Sequence, residues 1–102
     1  MFEGWFDPPG IEILRRTDRP VEVFGTGLWC RPGRSSLSRA PGDVRAHGLK
    51  IGAFHPGQQL GWVRLSSGGW LAVVQVELST ADGGNTVDTV LWLQAHQLRL
   101  SK

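Results

Sequence analysis

Residues 60–100 constrain the fold more than any other part of the chain, because three apolar segments of strand length follow one another with glycine-rich turns between them. In residues 70–80 the side chains divide into two sets with period two, the pattern of a β-strand. Val73, Val74 and Val76 also disfavour a helix, since β-branched side chains lose rotamer freedom there. We therefore predict a strand over residues 70–80.

Turn-forming residues stand on both sides of this strand. Residues 66–69 (Ser-Ser-Gly-Gly) and 81–85 (Ala-Asp-Gly-Gly-Asn) contain glycines, which reach positive φ without a clash at Cβ. Strands joined by such short turns must be antiparallel. The sequence therefore predicts a C-terminal meander over about residues 60–100, with strands near 60–65, 70–80 and 86–94 and a short fourth strand.

Both faces of this predicted sheet are apolar. In the predicted register, one face carries Trp62, Val90 and Trp92 together with Leu71 and Val73. An antiparallel sheet with one wet face should show polar residues on that face. This face is therefore either covered by the N-terminal half or exposed as a binding patch. Burial is the commoner fate of tryptophan; if the sheet has a binding surface, we expect Trp62, Val90 and Trp92 to form it.

The N-terminal half is less regular. No segment keeps apolar residues at the spacing of a helix face, so no helix is predicted. At 102 residues, the chain is expected to be a single domain, 1–102. In chain order we predict an arm over 1–10, a hairpin with strands at 11–15 and 21–24 around a turn at 17–20, a mobile surface loop at 31–42, a strand region at 43–54 and a turn at 55–58.

The stretch HPGQQLGWVRLSSGGWLAVVQVELS, followed by VDTVLWLQAHQLRL, resembles a Src-homology-3-like barrel in the order of its elements. The resemblance implies an all-β fold, either a small antiparallel barrel of that kind or a two-layer β-sheet with an irregular N-terminal half. The chain has no tyrosine, so the paired tyrosines that bind proline-rich peptides in that family have no counterpart here. In its arginine and tryptophan content the chain also resembles small proteins of actinobacteria and their phages.

Charge is distributed unevenly along the chain. Residues 15–50 hold eight basic and three acidic side chains, a net of +5, whereas the whole chain carries +2. Arginine dominates this segment, and its planar guanidinium suits phosphate and carboxylate partners. Arg31, Arg34 and Arg39 of the predicted loop are therefore candidates for contact with an anionic partner. A genome rich in G and C would produce the same composition without any binding role.

Catalytic and metal chemistry find little support in the sequence. The histidines, His47, His55 and His96, and the single cysteine, Cys30, lack the close paired spacing of a zinc site. No nucleophile-elbow pattern surrounds the serines. We therefore expect no enzyme, no catalytic residue, no metal and no cofactor.

The cellular setting follows from features that the chain lacks. One cysteine excludes an intramolecular disulfide and suits a reducing compartment. No apolar run approaches the ~20 residues of a membrane span, and the first residues lack the regions of a signal peptide. We therefore expect a cytoplasmic protein with no membrane partner.

Three classes of function stay open. The favoured one is a non-enzymatic protein-interaction module, such as a phage protein that acts on a host protein. The second is a nucleic-acid-binding protein that uses the arginine-rich middle segment. The third is a structural homo-oligomer that buries one sheet face between copies.

Overall fold

The structure, a computed structural model, describes residues 1–29 and 41–101 and is built around one antiparallel sheet. Its five strands lie in the order β4-β3-β2-β1-β5. The all-β prediction is confirmed, and so is the meander of β2, β3 and β4. The elements are β1 (Leu14–Phe24), α1 (Gly25–Trp29), α2 (Gly42–His47), β2 (Phe54–Arg64), β3 (Trp70–Ser79), β4 (Thr86–Leu93), a 3₁₀ turn (Ala95–Gln97) and β5 (Leu98–Leu100).

The sheet is not closed into a barrel. The short strand β5 pairs with β1 at Val21, Glu22 and Val23, and β4 forms the opposite edge. Side chains from both flanks nevertheless belong to one buried cluster, so the sheet coils toward closure. This arrangement is compatible with a small barrel-like fold, although no further strand pairs with β4 or with the outer side of β5 among residues 1–29 and 41–101.

The N-terminal hairpin predicted around residues 17–20 is instead one continuous strand. Arg16 pairs with Gly61 and Arg19 with Gln59, so Thr17 and Asp18 together lie opposite one residue of β2. This two-against-one arrangement is a β-bulge, which absorbs an extra residue and bends the strand without ending it. The turn prediction was therefore wrong because the polar Thr-Asp-Arg-Pro segment supplies a bulge.

The segment before β2 also differs from prediction. The predicted strand region 43–54 contains most of α2, an isolated bridge between Leu49 and Thr80, and the first residue of β2 at Phe54. The predicted turn at 55–58 lies inside β2, where Pro56 occupies the part of the strand that pairs with β1 alone, a place where a missing N–H is tolerated. The prediction that the chain has no helix was wrong, since α1 and α2 are helical. Both helices are too short to show a helical period in the sequence.

The register between β2 and β3 changes the predicted faces. Trp62 pairs with Ala72 and Arg64 with Trp70, so Trp62 and Trp70 lie on the same face. The connection spans the five residues 65–69, one more than the predicted turn, and a shift of one residue moves every side chain of a strand to the other face. We call the face of Ala72 the core face and the opposite one the arm face.

The core face carries most of the buried apolar residues. Ala72 and Val74 of β3 are fully buried there, as are Val21 and Val23 of β1. The N-terminal half completes this layer because Leu28 of α1 and Ile51 pack against it. The buried members of the cluster are Val21, Val23, Ala72, Val74, Val76, Leu78, Leu93 and Leu98.

The arm face is partly covered by the chain's N-terminal arm, residues 1–13. A smaller cluster of Leu14, Val63 and Val73 is buried there, and Phe2 and Ile13 pack against it. Toward β4 the cover ends, and Trp92 is 48% exposed. The arm face is thus buried by the N-terminal arm at one end and exposed at the other.

Gly61 allows the arm to approach the bulged part of β2. A Cβ at this position would lie 2.9 Å from the carbonyl oxygen of Arg15 and 3.4 Å from Cε2 of Phe2. The first distance is below normal contact with rigid backbone, so a larger residue would push β1 away. Only glycine fits this crossing of two strands and the arm.

Asp7 ties the arm to the start of β1. Its carboxylate accepts hydrogen bonds from Trp5 Nε1 at 2.7 Å and from the backbone N–H groups of Ile13 at 3.1 Å and Leu14 at 3.3 Å. The bond from the Trp5 indole is the main cause that lowers the pKa of Asp7 below its ordinary value. The attachment of the arm therefore depends on the ionised carboxylate.

We predict that the substitution Asp7→Ala destabilises the fold in a pH-dependent manner. Because the pKa of Asp7 is lower in the folded state, its ionised form stabilises the fold fully above the ordinary value of 3.8 and loses this effect as the pH falls through the folded-state pKa. Urea unfolding should show a difference between wild type and variant at pH 7 that shrinks on acidification. Asp43→Ala in α2 is the control, and a difference independent of pH would contradict the assignment.

Candidate functional site

Three arginines and two tryptophans come together on the core face, beside the loop 65–69. Arg15 pairs with Trp62 across β1 and β2, and Arg64 pairs with Trp70 across β2 and β3. Cross-strand partners point to the same face, so the register alone places these four side chains side by side. With Arg19, one bulge further along β1, they form what we call the arginine–tryptophan surface: Arg15, Arg19, Trp62, Arg64 and Trp70.

The guanidinium groups of this surface lie over the indole rings. The Cζ atoms of Arg15 and Arg64 are 5.6 Å and 5.7 Å from the ring centroid of Trp70, and that of Arg19 is 5.9 Å from the centroid of Trp62. These are cation–π distances, each worth about 0.5–1 kcal/mol at an exposed site. The contacts order the surface and leave Arg15 and Arg64 exposed, whereas Arg19 is half-buried.

A buried glutamine positions one of the arginines. Gln59 is fully buried, and its Oε1 accepts a hydrogen bond from Nε of Arg19 at 2.7 Å. Its Nε2 donates to the carbonyl oxygen of Gly61 at 3.2 Å, across the bulged residue Leu60. The same amide therefore satisfies the bulged backbone and holds Arg19 over Trp62.

Positive charge on this surface is only partly neutralised. Arg15 forms an ion pair with Glu12, with Nη2 and Oε1 2.8 Å apart. Across residues 1–29 and 41–101, no carboxylate lies within 4 Å of Arg19 or Arg64. An open depression of about 470 Å³ lies among Arg15, Arg19, Trp62 and Trp70. The surface can therefore accept an anionic group beside an aromatic ring.

The structure separates the residues that the sequence grouped as one sheet surface. Trp62 lies in the arginine–tryptophan surface, half-buried, whereas Val90 and Trp92 lie on the arm face opposite Gln75 and Val73. Trp62, Val90 and Trp92 therefore do not share one face. The loop candidates Arg31, Arg34 and Arg39 lie outside the described residues, as does Cys30.

Sequence reasoning missed Arg15, Arg19, Arg64 and Trp70 as site residues. A usable signal existed in the Trp-Val-Arg segment 62–64, since residues two apart on a strand share a face. The partners on β1 gave no such signal, because the bulge hides their register.

His47, His55 and Asp82, which lie outside this surface, make local contacts. His55 Nε2 accepts a hydrogen bond from the backbone N–H of Gly52 at 2.9 Å, and His47 lies 3.7 Å from Asp82. The hydroxyl of Thr80 is the main cause that lowers the pKa of Asp82, within the turn before β4. No group of three His, Cys, Asp or Glu side chains arranged to hold a metal occurs in the described residues.

We predict that Gln59→Leu destabilises the fold by about 1–3 kcal/mol, because the carbonyl of Gly61 loses its donor and Arg19 loses its acceptor in a buried place. Leucine is close to glutamine in size, so the change tests hydrogen bonding more than packing. Gln75→Leu, at an exposed position of β3, is the matched control and should change stability by less than about 0.5 kcal/mol. Equal unfolding free energies for the two variants would refute the role of Gln59.

Comparisons with known proteins do not identify the chain. No protein-family model, curated protein or solved structure matches it. In the part of the chain that the structure describes, no helix has the length and apolar character needed to cross a membrane. The proposed function therefore rests on the geometry of the arginine–tryptophan surface.

Proposed function

We propose that this protein is a non-enzymatic nucleic-acid-binding module that uses the arginine–tryptophan surface. The observation that carries the proposal is the set of three arginines interleaved with two tryptophans on one sheet face, of which Arg15 is paired with the carboxylate of Glu12. Arginine contacts phosphate through several N–H donors, and tryptophan offers a flat surface to a base. The surface can thus contact both the phosphate and the base of a nucleotide.

The energies of the two kinds of contact favour such a ligand. A cation–π contact at an exposed site contributes about 0.5–1 kcal/mol, whereas a base stacked on an aromatic side chain contributes about 1–3 kcal/mol. A base that replaces one guanidinium over an indole therefore contributes more binding free energy than the cation–π contact that is lost. The freed guanidinium then faces the phosphate of the same ligand.

We predict salt-dependent binding of labelled oligonucleotides in fluorescence anisotropy. Contacts from three arginines to a single strand correspond to a slope of about −2 in log K against log salt, since each phosphate contact adds about −0.7. Arg64→Gln should weaken binding and make the slope shallower by about one contact. Arg45→Gln, which removes the same charge from the exposed helix α2, is the matched control. Binding that is absent at low salt, or equally weakened by both variants, would refute the proposal.

We also propose that the fold is related to Src-homology-3-like barrels. This relation is supported by the short strand β5, which lies on the outer side of β1, and by the 3₁₀ turn that directly precedes β5. Small barrels of related shape use one sheet face for nucleic acids. A cytoplasmic location and an actinobacterial or phage origin stay predictions from composition.

A protein-interaction role is the second candidate, favoured by the exposed part of the arm face. Trp92 is 48% exposed there and Val90 is half-buried beside it. Glu77 and Asp88 pair directly opposite each other further along the same face. A protein that docks on this patch needs apolar groups for Trp92 and basic groups for the two carboxylates.

We predict that a protein partner of this kind depends on Trp92. A tagged pull-down from nuclease-treated lysate should retain the partner with wild type and lose it with Trp92→Ser. Val87→Ser changes an exposed residue of the same strand that points to the other face and should retain it. A partner held equally by both variants would exclude this patch, and a dimeric mass that Trp92→Ser abolishes would assign the patch to self-association.

A further inference from the structure

We infer that the ligand of the arginine–tryptophan surface is single-stranded nucleic acid, held by stacking of unpaired bases on Trp70 and Trp62. This inference rests on the proposed function and adds the strandedness of the ligand and the roles of individual residues. Three features carry it: the placement of the two indoles, the unequal anchoring of the three arginines, and the shape of the surface.

The two indoles stand on neighbouring strands as diagonal neighbours. Trp62 pairs with Ala72 and Trp70 with Arg64, so each tryptophan is offset by two residues from the partner of the other. Diagonal positions of an antiparallel pair are about 7–8 Å apart, close enough for two adjacent bases of one strand to reach both rings. Paired bases of a duplex are stacked on each other and turn only their edges outward. Ring faces at this spacing therefore suit unpaired bases.

The arginines are held in place to different degrees. Arg19 is fixed by buried Gln59 and Arg15 by Glu12. The guanidinium of Arg64 has no hydrogen-bond or carboxylate partner among residues 1–29 and 41–101, and its contact is the Trp70 ring. Arg64 is thus the group that can swing from Trp70 to a phosphate, which removes one of the two guanidinium groups over the indole and opens that part of the ring to a base. This assigns Trp70 as the main stacking platform and Arg19 as a fixed phosphate contact.

The shape of the surface agrees with a short, flexible ligand. It spans β1, β2 and β3, two inter-strand spacings of about 4.8 Å each, so it is about 10 Å wide. Reading a duplex requires a helix or a two-stranded ribbon in the major groove. The α-helices of the described chain have five and six residues and lie outside the arginine–tryptophan surface. The surface therefore offers a platform for two bases without a helix to enter a groove.

The test compares three probes of equal phosphate number by anisotropy: a labelled oligothymidine, a hairpin duplex, and an abasic strand that keeps the phosphates without bases. We expect oligothymidine to bind at least tenfold more tightly than either of the others at the same salt concentration. Trp70→Leu should weaken oligothymidine binding about fivefold or more while leaving the abasic strand unchanged. Trp70→Phe, which keeps an aromatic ring, should restore most of the loss.

Two controls keep the outcome decisive. Trp92→Leu alters a tryptophan on the opposite face and should bind like wild type, and thermal unfolding of each variant separates lost binding from lost fold. Equal affinity for all three probes, or no effect of Trp70→Leu in a folded variant, would overturn single-strand stacking while nucleic-acid binding stands. No binding of any probe by wild type at low salt would overturn the proposed function itself.

Discussion

The register of β2 between β1 and β3 is the constraint on which the rest of the structure depends. The strand pairs with β1 and with β3, and its ladder to each neighbour shifts at Leu60. Because side chains alternate with period two, the inserted residue lets Gln59 and Trp62, three positions apart, both face the core. The bulge, the buried amide that spans it and the arginine beside that amide therefore form one arrangement, and the arginine–tryptophan surface results from an irregularity in the strand pairing.

Sequence patterns were sufficient to predict the strands where neighbouring strands pair through a short turn and without a bulge. The turns at 66–69 and 81–85 and the valines of β3 predicted the bounds of β3 and β4 to within one residue, whereas β2 begins at Phe54, well before the predicted start near residue 60. Patterns failed where one inserted residue or one long-range partner decided the outcome. The bulge at Thr17 and Asp18 resembles a turn in composition, and the five-residue connection before Trp70 reverses the face predicted for Trp62. Neither feature changes hydrophobic periodicity enough to be seen without the partner strand.

The basic middle segment illustrates the same limit for function. Its composition indicated anionic partners, but composition cannot say which arginines meet an aromatic ring. Arg15 and Arg19 do so because β1 lies beside β2, and Arg64 joins them from a segment with no excess of charge. Rigid indoles cost little conformational entropy on binding, since a tryptophan has only two side-chain torsions. The arginine–tryptophan surface therefore combines ordered rings with charges that are still accessible.

The opposed carboxylates on β3 and β4 have a consequence for the sheet's free edge. Like charges directly opposite on paired strands weaken that pairing, so Glu77 and Asp88 lower the stability of the folded chain slightly. β4 is an open edge with exposed apolar residues, a template on which a strand of another molecule could add. A strand that did so would place its own side chains beside Asp88, with Glu77 one strand further into the sheet. A charge on an edge strand disfavours such an addition, so the carboxylate pair that slightly weakens the sheet also protects its edge.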